Sequence, residues 1–386
     1  MAHITEFKID GLLGRKKQIH IKLQRDVNIF FGENGSGKTT LLKILDAAMS
    51  GDSSIIQGLP VDRAEVDIFS VDHNRVFKHV WERKNSERVV HSVRDQYEMW
   101  QNESGEHIFK VKSESSEWKV SPSPKKQNSR TRWAHTFLPT TRLYLSENSR
   151  VSNNRPTNEG QFDVLFSESV NKSWLVYNSS VLAEVRKIQE EGLRAVLNHA
   201  LSPSHSTGIN SELDPKQAYE RVSKFLKRQS AAEGNILGTK SSFIKRYESE
   251  DNLRKVVGNI DNIELRIEHA MIPINRFLLT IKNLFSRGKA ISAENNQLSV
   301  QLETGELLTP ASLSSGEKHI LKILLATMTG GESSIIIDEP ELSMHIDWQR
   351  AFINTMRDLN PSCQIIVASH SPEIMAEIED DKIFRI

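Results

Sequence analysis

The chain has 386 residues, enough to bury a full core and to hold two or three domains. Lysine plus arginine equals aspartate plus glutamate at 50 each, which excludes a protein whose whole surface is a nucleic-acid footprint while leaving room for a local basic groove. A single cysteine, Cys363, excludes an internal disulfide and a cysteine-pair zinc site. It precedes the apolar run Ile365–Ala368 and reads as a small buried hydrophobe of a reducing, cytoplasmic compartment. The first residues have no apolar region of a signal peptide, and no apolar run approaches bilayer length, so a soluble protein without membrane partners is expected.

The chain opens with strand-like alternation at Phe7 and Ile9, then at Ile19, Ile21 and Leu23. A short apolar strand, Val27–Phe31, runs into a glycine-rich turn. A helix follows with Leu41, Leu42, Ile44 and Leu45 on its apolar side. From about Val61 to Lys119, pieces such as Val66–Val71 and His107–Val111 are broken by polar turns and predict an antiparallel β subdomain. The polar tract 121–132 comes next, then a more apolar stretch around Trp133–Pro139. Residues 146–160 are rich in Ser, Asn and Arg and predict a loop.

Residues 180–286 read as helical. Leu253, Val256, Ile260, Ile263, Ile267, Ala270, Ile274, Phe277, Ile281 and Leu284 keep a three-four spacing. It serves equally as a short coiled-coil seam or as the inner face of a buried helical lobe. The helix would be about 50 Å long at 1.5 Å per residue, with a kink expected at Pro273. Its partners would be the helix carrying Ala218, Val222, Phe225 and Leu226, or the one carrying Val181, Val185, Ile188 and Val196. Beyond Ala290 strands return, and helix and strand units alternate to the end. The organisation expected is a core half over 1–60, an antiparallel β subdomain over 61–145, a flexible loop over 146–180, a helical insertion over 181–290 and a second core half over 291–386.

Four short segments carry chemistry. Gly32-Glu33-Asn34-Gly35-Ser36-Gly37-Lys38-Thr39-Thr40 fits the phosphate-binding loop pattern between a strand and a helix. Its glycines let N–H groups close on phosphate oxygens. Lys38 supplies charge to the β- and γ-phosphates of ATP, the Thr39 hydroxyl reaches Mg²⁺, and the helix N-terminus adds its dipole. Ser334–Glu341 reads as a buried parallel strand ending in acids, where α/β sheets bind ligands. Asp338 is placed to hold Mg²⁺ and Glu339 to polarise water. Leu313-Ser314-Ser315-Gly316-Glu317-Lys318 precedes a helix and suits a γ-phosphate, yet on its own Ser314 to Glu317 spells a capping box. Ile365–Ala368 leads through Ser369 to His370, a strand end from which a histidine can contact the γ-phosphate.

In this order the four elements resemble the ABC ATPase family, and among its members the SMC-, RecF- and OLD-like branch. The implied fold is an α/β ATPase head whose mixed sheet carries the phosphate loop, with an antiparallel β subdomain and a helical insertion. The signature reads Leu-Ser-Ser-Gly-Glu rather than the transporter form. Glu341–Gln349 is similar to the OLD-type stretch after the acidic pair. A counterpart of the family's metal-contacting glutamine is not evident, and Phe137–Arg142 is the region where it would fall. OLD nucleases carry a further nuclease domain after this histidine; with sixteen residues following His370, none is expected here.

The resemblance implies ATP sandwiched head to tail between two copies, with Ser314, Ser315, Gly316 and Glu317 of one facing the phosphate loop of the other. The chain also resembles the ATPase subunits of the PARIS and Septu anti-phage systems. That implies a sensor and regulator answering to a phage-encoded trigger, with a separate effector of TOPRIM- or HNH-nuclease or toxin type. The alternative is a RecF-like repair ATPase that binds DNA across the dimer. A transporter subunit fits least. The basic clusters Arg15-Lys16-Lys17 and Lys125-Lys126 read as solvated surface.

Overall fold

The computed structural model describes residues 2–83, 97–101, 107–111, 117–122, 132–140, 159–201, 213–229, 237–285 and 288–386. The expected loop over 146–158, the pair Lys125-Lys126 and the positions Thr141 and Arg142 lie outside them. The chain divides into two compact units. One comprises Met1–Val170, Thr280–Ala290 and Ser299–Ile386; the other comprises Asn171–Leu279 and Ile291–Leu298.

The larger unit begins with β1 (Ala2–Asp10), β2 (Ile19–Lys22) and β3 (Val27–Phe31). Helices α1 (Lys38–Ser50) and α2 (Ser53–Gln57) follow, then β4 (Arg63–Ser70) and β5 (Arg75–Glu82). Next come β6 (Tyr97–Gln101) and β7 (His107–Val111), which pair antiparallel, then β8 (Lys119–Ser121) and β9 (His135–Leu138). The helical part holds α3 (Glu159–Leu201), α4 (Pro215–Gln229), α5 (Lys240–Ser249) and α6 (Asp251–Leu284). Strands β10 (Lys289–Ser292), β11 (Ser299–Leu302) and β12 (Leu307–Leu308) lead to α7 (Ser315–Thr329) and β13 (Ser334–Asp338). The chain closes with α8 (Ile346–Leu359), β14 (Gln364–Ser369), α9 (Pro372–Met375) and β15 (Ile383–Arg385).

Two sheets organise the larger unit. The antiparallel one has the order β2-β1-β4-β5-β8. Strand β1 pairs with β4 from Ala2 to Asp10, so the N-terminal strands belong to the sheet expected only from residue 61 onwards. The expected boundary at 60 fails because strand pairing is long-range: β1 finds its partner across α1. The parallel sheet has the order β15-β3-β14-β13-β9. Here β9, expected in the antiparallel subdomain, runs parallel to β13, with Ile337 beside Leu138. The apolar side of α1 joins the two sheets. Leu41, Leu42, Ile44 and Leu45 share one core with Phe7 and Ile9 of β1, Val66 of β4, Ile336 of β13 and Ile366 of β14. Each such side chain contributes roughly 1.5–3 kcal/mol of burial.

A buried glutamine fixes the register between sheets. Gln364, at the start of β14, donates to the carbonyls of Ile4 and Gln24 at 2.7 and 2.9 Å. Its Oε1 accepts from the Ile4 N–H and the Ser334 hydroxyl at 2.9 and 2.7 Å. All four of its bonds are made, as a polar group in a core requires. The single cysteine, Cys363, is buried, and burial pushes its thiol up to about 12, which makes it a poor nucleophile.

In the smaller unit the seam of α6 faces a core of its own. Val257, Ile260 and Ile263 cluster with Ile188 of α3, Ala218, Val222 and Phe225 of α4, and Phe243 and Tyr247 of α5. The three-four spacing thus lines a packed helical lobe that draws on both expected partner helices. Helix α6 runs on through Pro273. Helix α3 begins at Glu159, not near 181. Phe166, Val170 and Trp174, at four-residue steps, are each almost fully buried and hold its first turns. The Ser- and Asn-rich composition around them conceals this stripe.

Candidate functional site

The parallel sheet brings three of the four motifs, the phosphate loop, the acidic strand and the histidine strand, to one edge, and adds Thr140. Phe31 pairs with Ser369, Asp338 with Ala368 and Ile337 with Leu138. Gly32, Glu339, His370 and Thr140 therefore leave neighbouring strands at the same carboxyl edge, where open α/β sheets bind ligands.

At the phosphate loop, Gly37 has a φ of 100°, in the left-handed region that favours glycine, and a β-carbon there would press on Leu12 and Leu13. Gly35 has a φ of 81°. The Lys38 side chain is buried and its Nζ donates to the carbonyls of Gly32 and Glu33 at 2.8 and 3.0 Å. The loop thus curls around its own ammonium. Gly32, Asn34, Gly35 and Ser36 line an open cavity of about 750 Å³, together with Arg15 and His370. Arg15, read from sequence as solvated surface, belongs to this lining. The Ser36 hydroxyl is buried with no partner among the described residues, as expected of a group that meets a ligand. Thr39 and Thr40 sit in the first turn of α1.

Asp338 ends β13 almost fully buried, and two hydroxyls converge on its carboxylate. Thr39 Oγ1 donates to Oδ1 at 3.2 Å and Thr140 Oγ1 to Oδ2 at 2.6 Å. One carboxylate among hydroxyls beside a phosphate loop is the oxygen set that Mg²⁺ takes together with phosphate and water. Among the described residues no group of three or more His, Cys, Asp or Glu side chains could hold a metal ion alone. Thr140 lies inside the region where the metal-contacting glutamine was expected. A threonine carries no signature of that role, which is why the pattern alone does not single it out.

Glu339 is held at a φ of 49°, rare for a residue with a side chain, by a hydrogen bond from its N–H to the Ala368 carbonyl at 2.8 Å. Two residues on, Glu341 returns beneath β14. Its buried Oε1 accepts from the Ser369 hydroxyl at 2.7 Å and the His370 N–H at 2.8 Å, and lies 3.0 Å from His370 Nδ1.

Ser314 caps α7. Its hydroxyl accepts from the Glu317 N–H at 3.3 Å, and Glu317 accepts from the Ser314 N–H at 2.7 Å, so the capping box is real. Burial pushes the Glu317 carboxyl up, but that N–H and the Lys289 ammonium, 3.1 Å away, outweigh it and hold the group below its ordinary range. Ser314 and Ser315 remain exposed and are not among the residues lining the phosphate-loop cavity. Gly316 is buried against the carbonyl of Ser343. Lys318 is buried and paired with Asp163 at 2.7 Å.

A phosphate loop, an acid-tipped neighbouring strand, a strand-end histidine and a signature helix on a mixed α/β head define an ABC-type ATPase of the SMC-, RecF- and OLD-like kind. The chain belongs to the AAA ATPase domain family, whose model matches residues 3–375. It is 21% identical to the retron Vc95 probable ATPase of Vibrio cholerae, over 93% of this chain and 68% of that protein. Among solved structures it is similar to the Smc head domain of Pyrococcus furiosus, at 12% identity, a TM-score of 0.43, and 97% and 92% of the two chains. It is likewise similar to the SMC head domain of Thermotoga maritima, at 12% identity, a TM-score of 0.40, and 97% and 91%. Among the described residues no helix is long and apolar enough to cross a membrane.

Proposed function

We propose that this ATPase binds ATP with Mg²⁺ between two copies of the chain arranged head to tail, and that hydrolysis governs a separate effector in anti-phage defence. The observation that carries the nucleotide chemistry is the convergence of the Thr39 and Thr140 hydroxyls on Asp338 beside the phosphate loop. Gly32, Asn34, Gly35, Ser36 and Gly37 would wrap the phosphates with N–H groups, Lys38 and Thr40 would contact them, and Thr39 and Asp338 would hold the metal. Mg²⁺, when bound, supplies charge neutralisation on the phosphates. Glu339 would orient and polarise the attacking water, and His370 would contact the γ-phosphate from the next strand.

The composite site is supported by the exposed Ser314 and Ser315, whose helix N-terminus is built for an anion yet does not line its own chain's cavity. With Gly316 and Glu317 they would close the cavity of the partner copy. The defence role is supported by the similarity to a retron-borne probable ATPase. An effector of TOPRIM- or HNH-nuclease or toxin type would dock on the helical lobe, and the ATP state would set its release by favouring one of two conformations. The test is expression in cells challenged with phage, with and without the neighbouring gene, beside pull-downs of a tagged copy. Protection lost without the neighbour, and a partner captured only with an intact phosphate loop, is expected. Protection that persists without any second gene would sink the effector reading. Duplex DNA binding with a steep salt dependence would favour a repair ATPase instead.

A further inference from the structure

We propose that Glu341 is a positioning residue for His370: its buried carboxylate fixes the tautomer and direction of the imidazole, leaving Nε2 for the phosphate side of the site. The inference rests on the nucleotide reading above and assigns a task to a residue which that reading does not use.

The two glutamates of Asp338-Glu339-Pro340-Glu341 occupy different surroundings. The Glu339 side chain is 21% exposed, and its Oε1 stands 4.0 Å from His370 Nδ1, beyond hydrogen-bond reach. The Glu341 side chain is 5% exposed and lies 3.0 Å from the same nitrogen. The ring therefore answers to Glu341 and leaves Glu339 free for water. The left-handed turn at Glu339, closed by the Leu342 N–H on the Glu339 carbonyl at 3.3 Å, carries Glu341 back under the histidine strand.

Two donors hold Glu341 Oε1, the Ser369 hydroxyl and the His370 backbone N–H, and the His370 ring sets its Nδ1 3.0 Å from the same oxygen. A carboxylate oxygen so close to Nδ1 repels a bare lone pair and favours a proton there, which makes Nε2 the nitrogen without one in the neutral ring. The backbone bond and the ring contact meet at the same oxygen, so one carboxylate faces both the main chain and the side chain of His370. The imidazole lines the phosphate-loop cavity. A second layer holds the same corner: Ser371 Oγ donates to Gln349 Oε1 at 2.7 Å, while Gln349 Nε2 donates to the Met344 carbonyl at 3.0 Å. The other oxygen of Glu341, Oε2, is buried without a hydrogen-bond partner among the described residues. Keeping such an oxygen out of water costs free energy that a neutral anchor would avoid, and groups of this kind mark functional positions.

The test combines Glu341→Ala and Glu341→Gln, each alone and in a His370→Ala background. ATP affinity, kcat and KM are measured, together with the ¹H–¹⁵N signals of the His370 ring in the nucleotide-free protein. Glu341→Ala should lower kcat about tenfold, the value of one charge-assisted hydrogen bond, while KM stays within about threefold. Glu341→Gln keeps an acceptor oxygen and should stay within about threefold of wild type. Neither should have a further effect once His370 is alanine. The ring should show its proton on Nδ1 in wild type and lose that signal in Glu341→Ala. A loss from Glu341→Ala that adds in full to that of His370→Ala, or an unchanged ring spectrum, overturns the proposal. If Glu341→Ala fails to fold, Glu341→Gln decides: its Nδ1–H resonance should persist but shift as the charged acceptor becomes neutral, and an unmoved resonance overturns the proposal. Because the spectrum is recorded without nucleotide, a wild-type chain lacking turnover would refute the functional reading while leaving the positioning role measurable.

Discussion

The carbonyl oxygen of Ser343 stands 2.3 Å from the place where a β-carbon on Gly316 would lie. The signature glycine is thus required by the stretch that follows the acidic strand, whose own backbone at Ser343 sits at a φ of 65°. Gly316→Ala should displace that stretch at a cost of about 1–3 kcal/mol and lower turnover more than ATP affinity. Thermal unfolding and steady-state kinetics check this, and wild-type turnover in Gly316→Ala would count against a working link between the two segments.

Lys38→Ala should lose ATP binding, since it removes the charge that the phosphate loop encloses. Glu339→Gln should bind ATP normally, lose nearly all turnover and accumulate a closed dimer, since only the water-polarising carboxylate is changed. Filter binding, phosphate release and size-exclusion chromatography separate these outcomes. Near-normal hydrolysis in Glu339→Gln removes Glu339 from the chemistry.

Thr140→Val deletes the hydroxyl that donates to Asp338 at 2.6 Å while keeping the shape of the side chain. The Mg²⁺ concentration for half-maximal turnover should rise about tenfold, as for other supports of metal ligands, with the folded state retained. A metal titration of ATPase activity gives the answer, and an unchanged midpoint rejects a role for Thr140 at the metal.

Ser315→Arg and Lys38→Ala should each be inactive alone, yet a mixture should regain roughly one working site per heterodimer by the logic of composite interfaces. The measurement is turnover of mixed, differently tagged subunits. With heterodimers confirmed, an inactive mixture contradicts a site shared between copies.

Stability should fall as the medium is acidified from about pH 6.5 towards 4. His79 is fully buried, and burial holds its imidazole down to about 4. Its Nε2 accepts the Trp133 indole N–H at 3.2 Å, which a doubly protonated ring could not do. His319 is held down to about 4 by burial and, secondarily, by Lys322. Both groups have folded values below the unfolded value of about 6.5, so acid favours the unfolded chain, and the stability present above that value is lost on the way down. Each should contribute a loss of about 2 kcal/mol between pH 7.5 and pH 5. Urea midpoints at the two pH values test this, and His79→Gln, which keeps an acceptor for Trp133, should flatten its share of the slope.

The strand edge that gathers the motifs was legible wherever a pattern is written in contiguous residues. Gly32 to Thr40, Asp338, Glu339 and His370 each follow or end a short apolar strand, and such strands announce themselves. Phe137–Arg142 was singled out only as the place of a glutamine counterpart; that Thr140 donates to Asp338 depends on β9 lying beside β13 rather than on its residue type. Glu341 stood in a recognisable stretch, but its hold on His370 is a matter of burial and of the neighbouring strand. The periodicity of α6 was plain, yet it could not separate a seam open to a partner from the closed lobe core where Ile260 is buried. Strand pairing hid the membership of β1 in the antiparallel sheet, since nothing local in Ala2–Asp10 points to Arg63–Ser70.

The ladder between β3 and β14, which sets Val27 beside Ile365, joins residues from opposite ends of the chain. It closes a very long loop, and the entropy of loop closure grows only logarithmically, by about 0.6 kcal/mol for each doubling of length. The intervening chain could therefore grow, shrink or be exchanged with little effect on the head that hydrolyses ATP. Evolution meets a weak thermodynamic barrier to grafting a different lobe onto the same engine, and the toll falls instead on speed, because sheets built from such distant segments are slow to form.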